Sequence, residues 1–364
     1  LNTGVRNVRN VEKYIFGMGS LPNLKEIIEK RRIQNPGNII FFLDNFFFDK
    51  NLLSQLNVVK SKDLVQYINS EEEPTTTLVN DIRDLVLKNS NSCPSSIVAI
   101  GGGCTLDVAK AVANLITNPG NAEDYQGWDL VKNPAIYKIG IPTISGTGSE
   151  TTRTCVMTNP KNGLKLGMNS DYTVYDQLIL DPELTSTVPK DQYFWTGMDA
   201  YIHCIESLQG SYRNAIGDSY SHQSIRLCRE VFLSSDMQSN SNREKLMIAS
   251  FLGGCAIGSS YVGVVHPFSA ALSVVLGTHH CVANCIVMRA MEDFYPTAYN
   301  EFWSMVSKQS VKIPEGICKN LTDEQFDQLY NATVIHEKPL TNALGNDYVK
   351  ILTKERAMNI FKKM

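Results

Sequence analysis

Ile97-Val-Ala-Ile-Gly-Gly-Gly-Cys-Thr-Leu-Asp107 is the stretch that decides the fold of this chain. Four apolar residues run into three glycines, and Val108 to Ile116 continue with helical spacing of their apolar side chains. Strand, glycine turn and helix form the repeating unit of a parallel α/β sheet. The turn brings backbone amides up to an anion such as a diphosphate. Gly101, Gly102 and Gly103 carry no side chain, so a ligand can come close to the main chain there. Three consecutive glycines also make plain tight turns, and the spacing is neither GxGxxG nor that of a P-loop.

Upstream, residues 11–21 read as a short strand and a glycine turn, and Pro22 opens a helix. The apolar run 38–43 reads as a strand covered on both faces, ending at Asp44. An acid just past such a strand often meets the ribose hydroxyls of a dinucleotide, though a loop aspartate fits as well. Residues 46–56 read as helical and 57–60 as a second strand. Glu71-Glu72-Glu73-Pro74 reads as a solvated loop, and 75–88 as a helix with Leu78, Ile82, Leu85 and Val86 on one side. Downstream, a strand at 137–141 leads into Pro142-Thr-Ile-Ser-Gly-Thr-Gly-Ser-Glu150, a second loop of small and hydroxyl residues. A strand at 155–157, a basic turn at 161–165 and a strand at 178–180 follow. Two such loops at strand ends suit a dinucleotide; the plain alternative is a surface loop.

Beyond Pro189 the periodicity becomes helical, over 191–208, 214–233, 243–258, 267–276, 281–292, 298–310 and 323–334. The expected architecture is α/β followed by all-α: a Rossmann-like nucleotide-binding domain over 1–185 and a helical domain over 186–364. Within the second, Asp199 and His203 are four residues apart in a helical pattern and share a face. His266 and His280 lie in glycine-rich, apolar surroundings where an unpaired imidazole is costly. One Asp and three His would make a four-ligand site for Fe2+ or Zn2+. An Asp-x-x-x-His pair alone is a weak signal, since many such pairs are structural.

Apolar residues make up 43% and charged residues 20%, a globular balance, and the net charge of -3 offers no case for nucleic acid or an anionic membrane. Nine scattered cysteines without a CxxC pair fit a reducing cytoplasm. The first residues carry two arginines with no apolar run behind them, so they do not read as a signal peptide, and Leu1 is not an initiator methionine. The apolar stretch 251–277 is interrupted by Gly, Ser and Pro and reads as buried helices around a site, not a membrane span.

Five motifs resemble the iron-containing, or group III, alcohol dehydrogenases. They are GGGCTLDVAK at 101–110, PTISGTGSE at 142–150, LDPEL at 180–184, GMDAYIHCIE at 197–206 and the His266–His280 pair. The resemblance implies that Asp199, His203, His266 and His280 hold one divalent metal. It implies that Gly101 to Gly103 and Cys104 cradle the cofactor diphosphate, with Asp107 in the same cofactor-binding stretch. Thr143, Thr147 and Lys165 would line the cofactor and reaction cleft, and Asp44 would favour NAD over NADP by repelling a 2′-phosphate. The reaction implied is metal-assisted hydride transfer between a hydroxyl carbon and the nicotinamide, in a chain that is commonly a homodimer. Three residues depart from the pattern: Cys104 replaces a serine, Ala270 replaces a histidine one turn after the first helical ligand, and Cys281 replaces a glycine. His279 is an extra imidazole that would serve as a proton relay or simply pack.

The stretches VRNVEKYIFGMGSL at 8–21 and VGVVHPFSAALSVVLGTHHCVANC at 262–285 look like the branch that oxidises the 8-hydroxyl of 3-deoxy-D-manno-octulosonate. That branch hands its aldehyde to a PLP-dependent aminotransferase, giving an 8-amino sugar for lipopolysaccharide. An anionic sugar requires a cation in the pocket, for which Arg153, Lys161 and Arg213 are candidates by chemistry. The competing expectations are a dehydrogenase of a short alcohol, diol or hydroxy acid, a synthase or lyase on the same scaffold, and a non-enzymatic relic.

Overall fold

The computed structural model describes residues 8–90 and 92–364; the leader reading of the first residues falls mainly on 1–7, outside them. The chain divides into two compact units, one of residues 9–144 and 149–186, the other built on 187–364 together with 145–148.

The first unit is a six-stranded parallel sheet with helices. Its strands are β1 (Lys13–Phe16), β2 (Ile39–Asp44), β3 (Leu64–Ile68), β4 (Ser96–Gly101), β6 (Lys138–Pro142) and β9 (Gln177–Leu180), in the order β1-β9-β6-β4-β2-β3. A smaller sheet joins β5 (Gly127–Trp128), β7 (Thr154–Asn159) and β8 (Leu164–Asn169) in the order β5-β8-β7. Helices α1 (Leu24–Gln34), α2 (Thr76–Asn89) and α3 (Gly103–Thr117) complete it. The central strands β2 and β4 are buried at every position, as a sheet covered on both faces demands. Leu24 and Ile28 of α1 pack with Phe41, Leu43, Val98, Ile100 and Ile141 in one core. Each such side chain contributes about 1.5–3 kcal/mol on burial.

Several local expectations are corrected. Residues 46–56 form only two short 3-10 turns, not a helix. Phe46 and Phe48 are exposed and engage single aromatic neighbours, Phe47 and Tyr67, so no continuous apolar stripe forms. The strand expected at 57–60 lies instead at Leu64–Ile68. Asn57 takes a left-handed conformation, and buried Asp63 ties the turn by accepting from Val59 N and Ile39 N while pairing with Arg32. On α2 the buried face is Val79, Ile82 and Val86, and Leu78 and Leu85 are exposed. Glu73 is not a solvated charge, since it pairs with Lys165 of β8 at 3.1 Å. Residues 164–165, read as a turn, open β8.

The second unit is helical: α4 (Lys190–Gln209), α5 (Ala215–Phe232), α6 (Asn240–Ser259), α7 (Val265–Leu276), α8 (His280–Val287), α9 (Pro296–Gln309), α10 (Asp323–Val334), α11 (Glu337–Leu344), α12 (Tyr348–Ile351) and α13 (Lys354–Phe361). The last three were not expected. Helix α4 is buried nearly all round and packs on α5, α6 and α8, with Phe194 edge-on to Phe232 at 5.0 Å. The 145–148 loop belongs to this unit because it packs into it. Gly148 N donates to Ser250 Oγ at 3.3 Å, and a Cβ on Gly146, at φ +148°, would sit 1.6 Å from the carbonyl oxygen of Thr196. Only glycine fits there.

Candidate metal centre and nucleotide loop

Helix α4 presents Asp199, His203 and Glu206 on one face at i, i+4 and i+7, all buried. Helix α7 supplies His266 from its first turn, and α8 opens with His280 after the short turn 277–279. The three imidazoles converge on one carboxylate. His203 Nε2 and His266 Nε2 lie 3.4 Å and 3.3 Å from Asp199 Oδ1, and His280 Nε2 lies 3.8 Å from Oδ2. Potential ligand atoms of Asp199, His266 and His280 all fall within 4.8 Å of one another, a group able to hold a metal ion. His203 is adjacent but outside that group. Its ring stacks on His266 at 4.6 Å and 15°, and its Nδ1 is buried without a hydrogen-bond partner.

A buried carboxylate with three imidazole Nε2 atoms within 3.8 Å of its oxygens, one of them on a ring whose Nδ1 is otherwise unengaged, fits a divalent cation of the iron or zinc type. The electrostatics agree. Burial opposes ionisation of Asp199, but His203, His266 and His280 hold its carboxyl well below the ordinary range. Burial pulls His203 down to about 4. Burial would do the same to His266, but the charge of Glu206, with help from Asp199, holds that imidazole up at about 10. The two carboxylates that hold His266 up make this part of the site negative, which suits a cation.

Four neighbours were not assigned a role from sequence. Glu206 pairs with His266 Nδ1. Asn284 donates to Asp199 Oδ1 at 2.8 Å and lies 3.3 Å from His280 Nε2. Ser269 Oγ lies 3.2 Å from His280 Nδ1, and Cys281 Sγ lies 3.9 Å from Asp199 Oδ2. The readable signal was spacing: Glu206 continues the Asp199–His203 face, and Asn284 follows His280 by one turn. Ala270 is buried on α7 one turn beyond His266, and His279 is half-buried, its Nδ1 without a partner.

In the first unit, β4 ends at Gly101 and α3 starts at Gly103 with no side chain capping its first amides. A Cβ on Gly101 would meet Thr105 at 2.7 Å and Asp44 at 3.0 Å. Thr143 N donates to Gly101 O at 3.0 Å, which binds the second loop to the first. Asp44 sits at the end of β2, its Oδ1 accepting from Phe46 N and Ser70 Oγ, both at 3.0 Å. Cys104 is half-buried, and burial, then the charge of Glu73, pushes its thiol up. Asp107 is committed internally: it accepts from Ser149 Oγ at 2.5 Å and Val156 N at 2.9 Å. Buried Lys110 donates to Ser149 O at 2.8 Å and to Thr152 Oγ1 at 3.2 Å, fixing the same loop. Thr147 lies in the segment that packs with the helical unit.

The three candidate cations are already paired: Arg153 with Asp171 and Asp129, Lys161 with Glu123 at 2.6 Å, and Arg213 with Asp218 at 2.7 Å. Arg153 and Lys161 belong to the sheet unit and Arg213 to the helical one.

A parallel α/β unit with a glycine loop, joined in one chain to a helical unit with an Asp–His cluster, defines a class of metal- and nucleotide-binding proteins. Comparison with known proteins narrows the class. The model for iron-containing alcohol dehydrogenases matches residues 11–182, and that for the C-terminal part of the Fe-containing alcohol dehydrogenase family matches 194–333. The chain belongs to the iron-containing alcohol dehydrogenase family, with that family's NAD(P)-binding fold and Fe/Zn-type metal site. It is 37% identical to a sulfoacetaldehyde reductase of Bilophila wadsworthia over 51% of this chain and 49% of the relative. It is 30% identical to an NAD-dependent methanol dehydrogenase of Bacillus methanolicus over 62% and 59%. The chain thus spans about half to two thirds of the length of the curated relatives it matches. Its fold matches that of an alcohol dehydrogenase from Oenococcus oeni with a TM-score of 0.83 and 23% identity, over 99% of this chain and 100% of the other. Among the described residues, no helix is long and apolar enough to cross a membrane.

Proposed function

We propose that this chain is a metal-dependent, NAD(P)-linked oxidoreductase that interconverts a small hydroxy compound and its carbonyl form. The convergence of partly buried His266 and His280 on the buried carboxylate of Asp199 carries this reading. In it, those three residues and His203 hold the ion, and the orphaned Nδ1 and adjacent Nε2 of His203 support its place in the set. The glycine loop with Cys104, and Thr143, Thr147 and Lys165, serve the dinucleotide. When bound, the ion supplies Lewis acidity for a substrate oxygen and the nicotinamide gives or takes a hydride. The protein's own part is to fix the imidazoles, keep Asp199 ionised in a dry site, and present uncapped amides at the start of α3. Asp44, held in place by Phe46 N and Ser70, supports NAD over NADP, because a fixed carboxylate accepts ribose hydroxyls and repels a 2′-phosphate. The names of relatives, a sulfoacetaldehyde reductase, a methanol dehydrogenase and a 1,3-propanediol dehydrogenase, support small alcohols, diols and aldehydes as the substrate class.

A finer reading makes the substrate 3-deoxy-D-manno-octulosonate, oxidised at its 8-hydroxyl by a cytoplasmic homodimer that supplies a PLP-dependent aminotransferase. Its support is the wording of 8–21 and 262–285. The acid pairing of Arg153, Lys161 and Arg213 weighs against it, since none is a spare cation for the sugar carboxylate.

The test is NADH and NADPH formation after reconstitution with Fe2+ or Zn2+, against methanol, 1,3-propanediol and the octulosonate, with sulfoacetaldehyde assayed in the reducing direction. Turnover of any of them sustains the oxidoreductase reading. Turnover of the octulosonate alone selects the finer one. Inertness toward all, with metal and dinucleotide still bound, overturns both.

A further inference from the structure

Glu206 lies seven residues beyond Asp199 on α4, and its side chain is wholly buried. A buried carboxylate is costly unless its oxygens are engaged. Here Oε1 accepts from Val265 N at 2.6 Å and from His266 N at 3.4 Å, and Oε2 pairs with His266 Nδ1. These two amides belong to the first turn of α7, whose N-cap residue, Val264, makes no side-chain cap. The amide of Val264 goes to Tyr295 Oη at 3.1 Å. Glu206 of α4 and Tyr295, just before α9, therefore satisfy the start of α7, and the principal one is a negative charge at the positive end of the helix.

The same carboxylate decides how His266 can act. An imidazole has one proton to place when neutral, and a carboxylate accepts but does not donate. Paired with Glu206, Nδ1 keeps its proton, so the proton a metal ion displaces is the one on Nε2, whose lone pair then faces the ion. Nε2 is the nitrogen 3.3 Å from Asp199 Oδ1, on the side where the other imidazoles converge. Charge agrees with this: Asp199 and Glu206 bring two negative charges to a cluster of imidazoles, which a divalent ion balances.

We propose that Glu206 is a positioning residue of the metal centre, which fixes both the tautomer of His266 and the start of the helix that carries it. This deepens the metal reading above and rests on it. Loss of such an outer carboxylate weakens metal binding by about 10–100-fold.

The experiment uses the full chain as wild type, Glu206→Gln, His266→Ala and the double variant. Zn2+ affinity is read by competition with a chromophoric chelator, Co2+ loading by its visible absorption, and the His266 tautomer by 15N-histidine NMR of the Zn2+-loaded protein. The expected result is about 10–100-fold weaker Zn2+ binding in Glu206→Gln, a changed Co2+ spectrum, and no further loss from E206Q once His266 is alanine. Glu206→Asp, which keeps the charge but draws it back one methylene, is predicted to fall between. Unchanged affinity in E206Q, or the same loss in the His266→Ala background, overturns the proposal. If Gln and Asp both unfold the chain with and without Zn2+, the carboxylate is only a helix cap and the proposal falls. A wild-type chain that binds neither ion overturns the metal reading itself, and this inference with it.

Discussion

At the end of β4 the chain offers a ligand its main chain: three glycines and the uncapped start of α3. On α4, α7 and α8 it offers side chains from 199 to 280, set on three helices, with Asp199 and His203 buried and His266 and His280 partly buried. The first arrangement is local and rests on main chain more than on side chains. The second is non-local, and its geometry depends on every helix that carries a ligand. One chain thus holds a site made of backbone and a site made of packing, and substitutions should separate them.

The largest separation should come from Asp199→Ala. It removes the carboxylate on which three imidazoles converge, so bound metal should vanish and turnover should fall by about a thousandfold or more. NADH binding, followed by fluorescence, should stay within about twofold, since the nucleotide loop belongs to the other unit. Gly146→Ala should cost on the order of 3 kcal/mol in denaturant unfolding, because the new Cβ meets the Thr196 carbonyl in a conformation unfavourable to alanine. Gly101→Val is the mirror of the first test. Its side chain meets Thr105 and Asp44, so NADH affinity should drop by about tenfold or more, at about 1–3 kcal/mol of stability, with metal content unchanged.

The smallest effect is expected at Lys161. Its exposed pair with Glu123 should contribute under about 1 kcal/mol, and Lys161→Ala should leave KM within about twofold. The hydrogen bond from Lys161, with that from Asn80, holds the Glu123 carboxyl down at about 2. A depressed acid stabilises the fold above its ordinary value of 4.5 and loses that contribution as pH falls toward 2. The wild-type advantage over Lys161→Ala should therefore fade in acid denaturation across that window.

The β4–α3 unit was legible because an apolar run, a glycine turn and a helical period occur within twenty consecutive residues. The helices of the second unit were legible from the same period, and the Asp199–His203 pair from the spacing of one turn. What was missed has physical reasons. Strand β3, Leu-Val-Gln-Tyr-Ile, is a half-buried edge whose polar residue blurs the pattern, while Asn57-Val-Val-Lys60 mimics a strand in a turn. Helices α11 to α13 are short and broken by Gly345 and charged residues, so their periods never accumulate. The stacking of His203 on His266 and the reach of Glu206 to α7 join residues about sixty positions apart, which no local pattern encodes. The commitment of Asp107 to Ser149 and Val156 was hidden for the same reason.

Equilibrium dialysis against Zn2+, with the bound ion counted per chain, tests the central claim most directly. Wild type, Asp199→Ala, His266→Ala and His280→Ala are compared, each checked for fold by circular dichroism. The account predicts one tightly held ion in the wild type and markedly weaker retention in each folded variant, greatest for Asp199→Ala. A wild type that retains no ion, or three folded variants that retain it as tightly, would contradict the account.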